Sequence, residues 1–131
     1  MRLMLHNHDA DMAEGAREWR AILHHTDPKL VGFCVDVHWV YRGKQDPLLL
    51  LQEAGQRIAS LHVRNSVKGI WSESLGEGDV DYAAVTRFLK HIKYKGLIAV
   101  ELAYDKETKP SRPMEEDLKI SREYAEKVFG A

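Results

Sequence analysis

The chain has 131 residues, of which 44% are hydrophobic and 30% charged, proportions that suit one globular domain with a modest core. Nineteen basic against twenty acidic residues leave a formal charge of −1 with no dense Lys/Arg block, which argues against nucleic acid as a partner. The short apolar run after Met1-Arg2 is too brief for a signal-peptide core and no other run could span a bilayer, so a cytoplasmic protein with no membrane partner is expected; the lone Cys34 excludes an internal disulfide.

Leu3-Met4-Leu5 reads as a strand ending in His6-Asn7-His8. A helix is expected from Ala10 to about His25, with Ala13, Ala16, Trp19, Ile22 and Leu23 at three- and four-residue spacing, Asp9 or Asp11 as cap, and Thr26-Asp27-Pro28 as its end. Val31 to Val35 forms the second strand, closing on Asp36-Val37-His38-Trp39, and a long loop from His38 to Asp46 follows. Asp46-Pro47 opens a short helix through Leu48, Leu49, Leu51 and Ala54 that stops at Gly55. Ile58 to Leu61 is the third strand, running into His62-Val63-Arg64, and a second long loop from Asn65 to Asp81 carries Trp71, Glu73 and Gly76-Glu77-Gly78. Asp81 caps a helix bearing Val85, Phe88, Leu89 and Ile92 that Gly96 ends. Leu97 to Val100 is the fourth strand, reaching Glu101, and Pro113 starts a last helix through Leu118, Ser121, Tyr124, Ala125 and Val128. Its Glu115-Glu116-Asp117 reads as a solvated acidic first turn.

The resulting order, β-α repeated four times, implies parallel strands joined by right-handed crossovers. Parallel strands bring their C-terminal ends together, so two imidazole clusters and two carboxylates converge as a divalent-metal site requires. Asp36 and Glu101 follow apolar runs and are costly to bury without a cation or donors. Arg64 points to the same strand face as His62, where it would hold an anionic or hydroxylated group. Mixed imidazole and carboxylate ligands favour Mn2+ or Zn2+, with Co2+, Fe2+ and Mg2+ as alternatives.

The ordered segments H-N-H, F-C-V-D-V-H-W, D-P-L-L-L-L, L-H-V-R-N, G-E-G-D-V-D-Y and V-E-L-A-Y resemble the second half of the xylose-isomerase-like barrel superfamily of sugar-phosphate isomerases and epimerases. The resemblance covers essentially the whole chain. It implies a (β/α)4 half of a TIM barrel, one divalent metal near the C-terminal mouth, and Asp36, His62 and Glu101 as ligands, with His6 at the first-strand position where many members carry a glutamate. Trp39 stands where the family's D-x-x-H pattern has histidine, and His38 falls one residue early. The implied reaction is proton abstraction next to the carbonyl of a sugar, sugar phosphate or keto-polyol through a metal-stabilised enediolate. Glu101 is then the general base, His6 or His8 returns the proton, and Arg64, His38, Trp39 and Trp71 contact substrate.

Family barrels have about eight βα units, so two edge strands and a concave face are expected to stand open. Two copies related by a two-fold axis along the barrel would close it, predicting a homodimer; the competing explanation is an upstream half in the natural protein. Two further readings use the same residues: a metal-dependent dehydratase or lyase resembling inosose dehydratase, and a degenerate half barrel without catalysis. The superfamily's DNA-repair endonuclease branch is disfavoured by the absence of a basic surface and of further metal ligands.

Overall fold

The computed structural model describes residues 2–130. Strands β1 (Leu3–His6), β2 (Val31–Asp36), β3 (Ile58–Val63) and β6 (Leu97–Val100) form one parallel sheet in the order β1-β2-β3-β6. This is the predicted half barrel. Helices α1 (Ala13–His25), α2 (Val37–Arg42), α3 (Pro47–Ala54), α4 (Tyr82–His91) and α5 (Met114–Phe129) complete the βα units, and a small antiparallel pair, β4 (Ser66–Val67) and β5 (Ile70–Trp71), interrupts the connection after β3.

Alternation along the strands divides the sheet into two faces. Phe33, Val35, Leu61 and Val63 are buried in the same core as Trp19, Val40, Leu50, Leu51, Val85 and Leu89 of the helices. The register aligns His6 with Cys34, Asp36 with His62, and His62 with Ala99, so their side chains share the opposite face. That face carries the candidate site. Cys34 is buried there as expected, and burial raises its thiol pKa. Among the described residues both outer strands lack a second partner, and Leu3, Met4 and Leu97 are 60%, 56% and 70% exposed. Among the described residues no helix is long and apolar enough to cross a membrane.

Local chemistry explains the element ends. Asp46 accepts from the Leu48 and Leu49 amides at 2.8 and 3.3 Å, and Asp81 from the Ala84 amide at 2.9 Å, so both predicted caps form. The helix expected from Ala10 is broken: a 3-10 turn covers Ala10–Met12, and Glu14, Gly15 and Ala16 are left-handed, with φ between 51° and 72°. The expected loop from His38 is instead α2, because the Asp36 carboxylate accepts from the Trp39 amide at 2.9 Å and buries Val37 and Val40 in the first turn and a half. The helix before β6 ends at His91 rather than continuing towards Gly96.

Two further corrections bear on the long connections. Residues 65–81 are built around the β4–β5 hairpin, whose Lys68-Gly69 turn has positive φ at both positions; Asp79 accepts from both turn amides, at 3.0 and 2.8 Å. Asp117 does not face solvent. It is fully buried, taking Arg112 Nε at 2.6 Å and the Tyr104 hydroxyl at 3.1 Å, and so anchors the segment between β6 and α5.

Asn65 organises the loop that covers the sheet end, donating to the carbonyls of Gly76 and Val80 and accepting from the Ser66 and Val80 amides. Gly78 passes so close beneath it that a Cβ would overlap the Ser66 carbonyl oxygen. Gly78→Ala is therefore expected to destabilise the fold by about 2 kcal/mol through overpacking against backbone. An unchanged denaturation midpoint would show that the loop yields freely.

Candidate metal centre

The four converging strand ends deliver His6, Asp36, His62 and Glu101 to one place, with a donor atom from each within 4.8 Å of all the others. Asp36 is fully buried, whereas the His6, His62 and Glu101 side chains are 26%, 29% and 42% exposed. The cluster therefore has a closed floor and an open rim. His6 Nε2 lies 3.7 Å from Asp36 Oδ2, and His62 Nδ1 lies against Glu101 Oε2. Both ring nitrogens are buried; His6 Nε2 has no hydrogen-bond partner among the described residues, and the close contact of His62 Nδ1 with the Glu101 carboxylate lacks hydrogen-bond geometry. Two imidazole nitrogens turned towards two carboxylates are a donor set that fits a divalent cation. Burial lowers the His6 pKa against the opposing pull of Asp36, which favours the neutral, ligating form.

Asp36 is fixed from three sides. Its Oδ1 caps α2, its Oδ2 pairs with Arg64 Nη2, and its backbone is gripped by Asn7, which donates to the Asp36 carbonyl at 3.1 Å and accepts from its amide at 2.9 Å. The Asn7 side chain thus extends the β1–β2 ladder one residue beyond the strand.

Arg64 is only 3% exposed, and its guanidinium is turned to the carboxylates of Asp36 and Glu101. Its Nη2 also reaches Glu101 Oε1 at 3.1 Å, and its Cζ lies 5.4 Å from the Trp39 ring and 5.1 Å from the Trp71 ring. The two indoles pack edge to face at 5.2 Å, forming a shelf beside the cluster. His8 stacks its ring 4.8 Å from His6 and 5.9 Å from Trp39, at the exposed lip of the site.

His38 is brought near Trp71, with ring centres 5.8 Å apart, but not into the ligand cluster. It is fully buried, and its Nε2 meets Ser66 Oγ at 2.9 Å while Ser66 donates to Asp79 Oδ2 at 2.7 Å. Burial, reinforced by Arg64 and Arg42, lowers its pKa to about 4, so the ring is neutral and serves as a support under Trp71. Asn7, Ser66 and Asp79 escaped the sequence reading. Asn7 between two ligand-type histidines was the available signal; nothing local marked the other two.

The description "xylose isomerase-like TIM barrel" fits residues 1–124. An inosose dehydratase of Clostridium tetani is 26% identical, across 98% of this chain and 48% of its own length. A sugar phosphate isomerase/epimerase from Parabacteroides distasonis superposes with a TM-score of 0.75 at 24% identity, across 95% of this chain and 44% of its own. An L-ribulose 3-epimerase gives 0.66 at 17% identity, with 98% and 46% covered. The chain spans about half the length of the relatives it matches.

Asn7→Ala is expected to cost about 2 kcal/mol, because two buried backbone groups of Asp36 lose their partners. Urea denaturation measures it, and a loss below a few tenths would place the restraint on Asp36 elsewhere. With four parallel βα units, ligand-type residues gathered at the strand C-termini and a family match over nearly its whole length, the chain belongs to the xylose isomerase-like TIM barrel family.

Proposed function

We propose that this chain supplies the metal-binding half of an enzyme that isomerises or epimerises a sugar or sugar phosphate by removing a proton next to a carbonyl. The convergence of His6, Asp36, His62 and Glu101 carries this reading. Mn2+ or Zn2+ suits the mixed donor set best, and such an ion would act as a Lewis acid that makes the neighbouring C–H acidic.

Glu101 is the general base. It is the more exposed carboxylate of the cluster, immediately after the edge strand β6, with Arg64 and His62 orienting its two oxygens. The proton moves from carbon to Glu101, and the electron pair left behind spreads onto the carbonyl oxygen. His8, whose ring lies 4.8 Å from His6 at the exposed lip just beyond β1, returns a proton from the other end of the sheet from β6, while His6 stays neutral as a ligand. Trp39 and Trp71 offer apolar faces to the sugar's C–H groups, with Arg64 between them and the carboxylates and His38 behind Trp71.

A second reading, dehydration, is favoured by the relationship to inosose dehydratase. It shares the first step, after which His8 protonates a hydroxyl on the adjoining carbon and water departs. Incubation with ketoses, sugar phosphates or inososes in D2O separates the two: isomerisation places deuterium on carbon and raises the mass by that exchange alone, and dehydration removes water. Glu101→Gln should keep its circular dichroism spectrum and lose solvent exchange at least a hundredfold, in the range of general-base contributions. Exchange at the parent rate would remove Glu101 from the step.

A second copy of the chain completes the barrel in this reading. The edges of β1 and β6 are both unpaired among the described residues, and pairing β1 of one copy with β6 of the other, across a two-fold axis along the barrel, keeps every strand parallel. Burial of Leu3, Met4 and Leu97 and of the apolar groove of about 370 Å³ flanked by α4, β6 and α5 would reward it. Light scattering should give twice the 15.0 kDa chain mass. A monomer at micromolar concentration would contradict this closure.

A further inference from the structure

Arg64 occupies a position that a substrate contact alone does not explain. Its Nη2 lies between Asp36 Oδ2 and Glu101 Oε1, the carboxylates of two proposed ligands. The Asp36 oxygen it holds is the one 3.7 Å from His6 Nε2, and hence the one turned towards the cluster; the other is committed to the Trp39 amide. The guanidinium is almost fully buried, and its Nε–H has no partner among the described residues.

We propose that Arg64 is a resident counter-cation that competes with the divalent ion for Asp36 and Glu101, and that ion binding turns the guanidinium over to a negatively charged oxygen of the substrate. This rests on the metal reading of the site. With neutral imidazoles, two carboxylates against one guanidinium leave one net negative charge, and a divalent ion converts that to one net positive charge. The loaded pocket then selects a ligand that brings a single negative charge beside Arg64, such as a carboxylate, a phosphate monoanion or the oxyanion formed on proton loss. The Nη2–H groups released from Asp36 and Glu101 are the donors available to it. The competition also sets metal affinity: a cation of this size, pinned beside the ion in a partly buried site, opposes it.

The test titrates Zn2+ alone, without substrate, into the full chain and into Arg64→Met and Arg64→Lys. Arg64→Met should bind Zn2+ at least tenfold more tightly than the parent, and Arg64→Lys, which keeps the positive charge, should stay nearer the parent than Arg64→Met does. In the parent, Zn2+ should also change tryptophan emission in step with binding, because Arg64 leaves the faces of Trp39 and Trp71. Parent binding with no emission change at saturation overturns the exchange even if Arg64→Met does not fold. Zn2+ binding to the parent with equal or weaker affinity in a folded Arg64→Met overturns the competition while leaving the metal site standing. No saturable binding in any of the three proteins removes the metal reading and this inference together.

Discussion

A fully buried carboxylate on a central strand governs this structure. Asp36 has no access to water, and an ionised carboxylate in that setting costs several kcal/mol unless cations and donors surround it. Arg64 on one oxygen and the α2 amide on the other answer that requirement, while Asn7 fixes the Asp36 backbone. The same arrangement makes the site. Holding Asp36 rigidly under the strand ends creates a negatively polarised floor, over which His6, His62 and Glu101 form a rim that water and small molecules reach.

Stability and function therefore compete at one position. Packed hydrophobic residues would satisfy this end of the sheet at lower risk, and replacing a buried ion pair with them is often neutral or stabilising. The chain instead keeps charges at the strand ends while Phe33, Val35, Leu61 and Val63 provide the cohesive face against the helices. The two faces of one sheet thus do different jobs, and alternation along each strand lets a short sequence serve both. Among the described residues the outer edges of β1 and β6 have no further strand partner, so the sheet stands open on both sides of the site.

Much of this was legible in the residues. Parallel β-runs ending in His6, Asp36, His62 and Glu101 announce a shared rim, because topology forces equivalent strand ends together whatever their separation in the chain. Asp46-Pro47 and Asp81 identify helix starts, since capping is a local interaction. Features that depend on tertiary partners were hidden. Asp36 looks like a ligand and not like a helix cap, so α2 was read as loop; the β4–β5 hairpin depends on Asp79, ten residues beyond its turn. Asp117 resembles any acidic helix start until Arg112 and Tyr104 fold back onto it. The burial of Arg64 and His38 follows from the indoles and loops that close over them, which periodicity does not encode.

Metal content after exhaustive dialysis against trace Zn2+ and Mn2+, measured on the parent and on His62→Ala, tests the central claim most directly. The account predicts one ion retained per chain in the parent and at least a tenfold loss of affinity in His62→Ala, whose remaining three donors cannot close the set. Equal ion content in both proteins, or none in the parent, would contradict it.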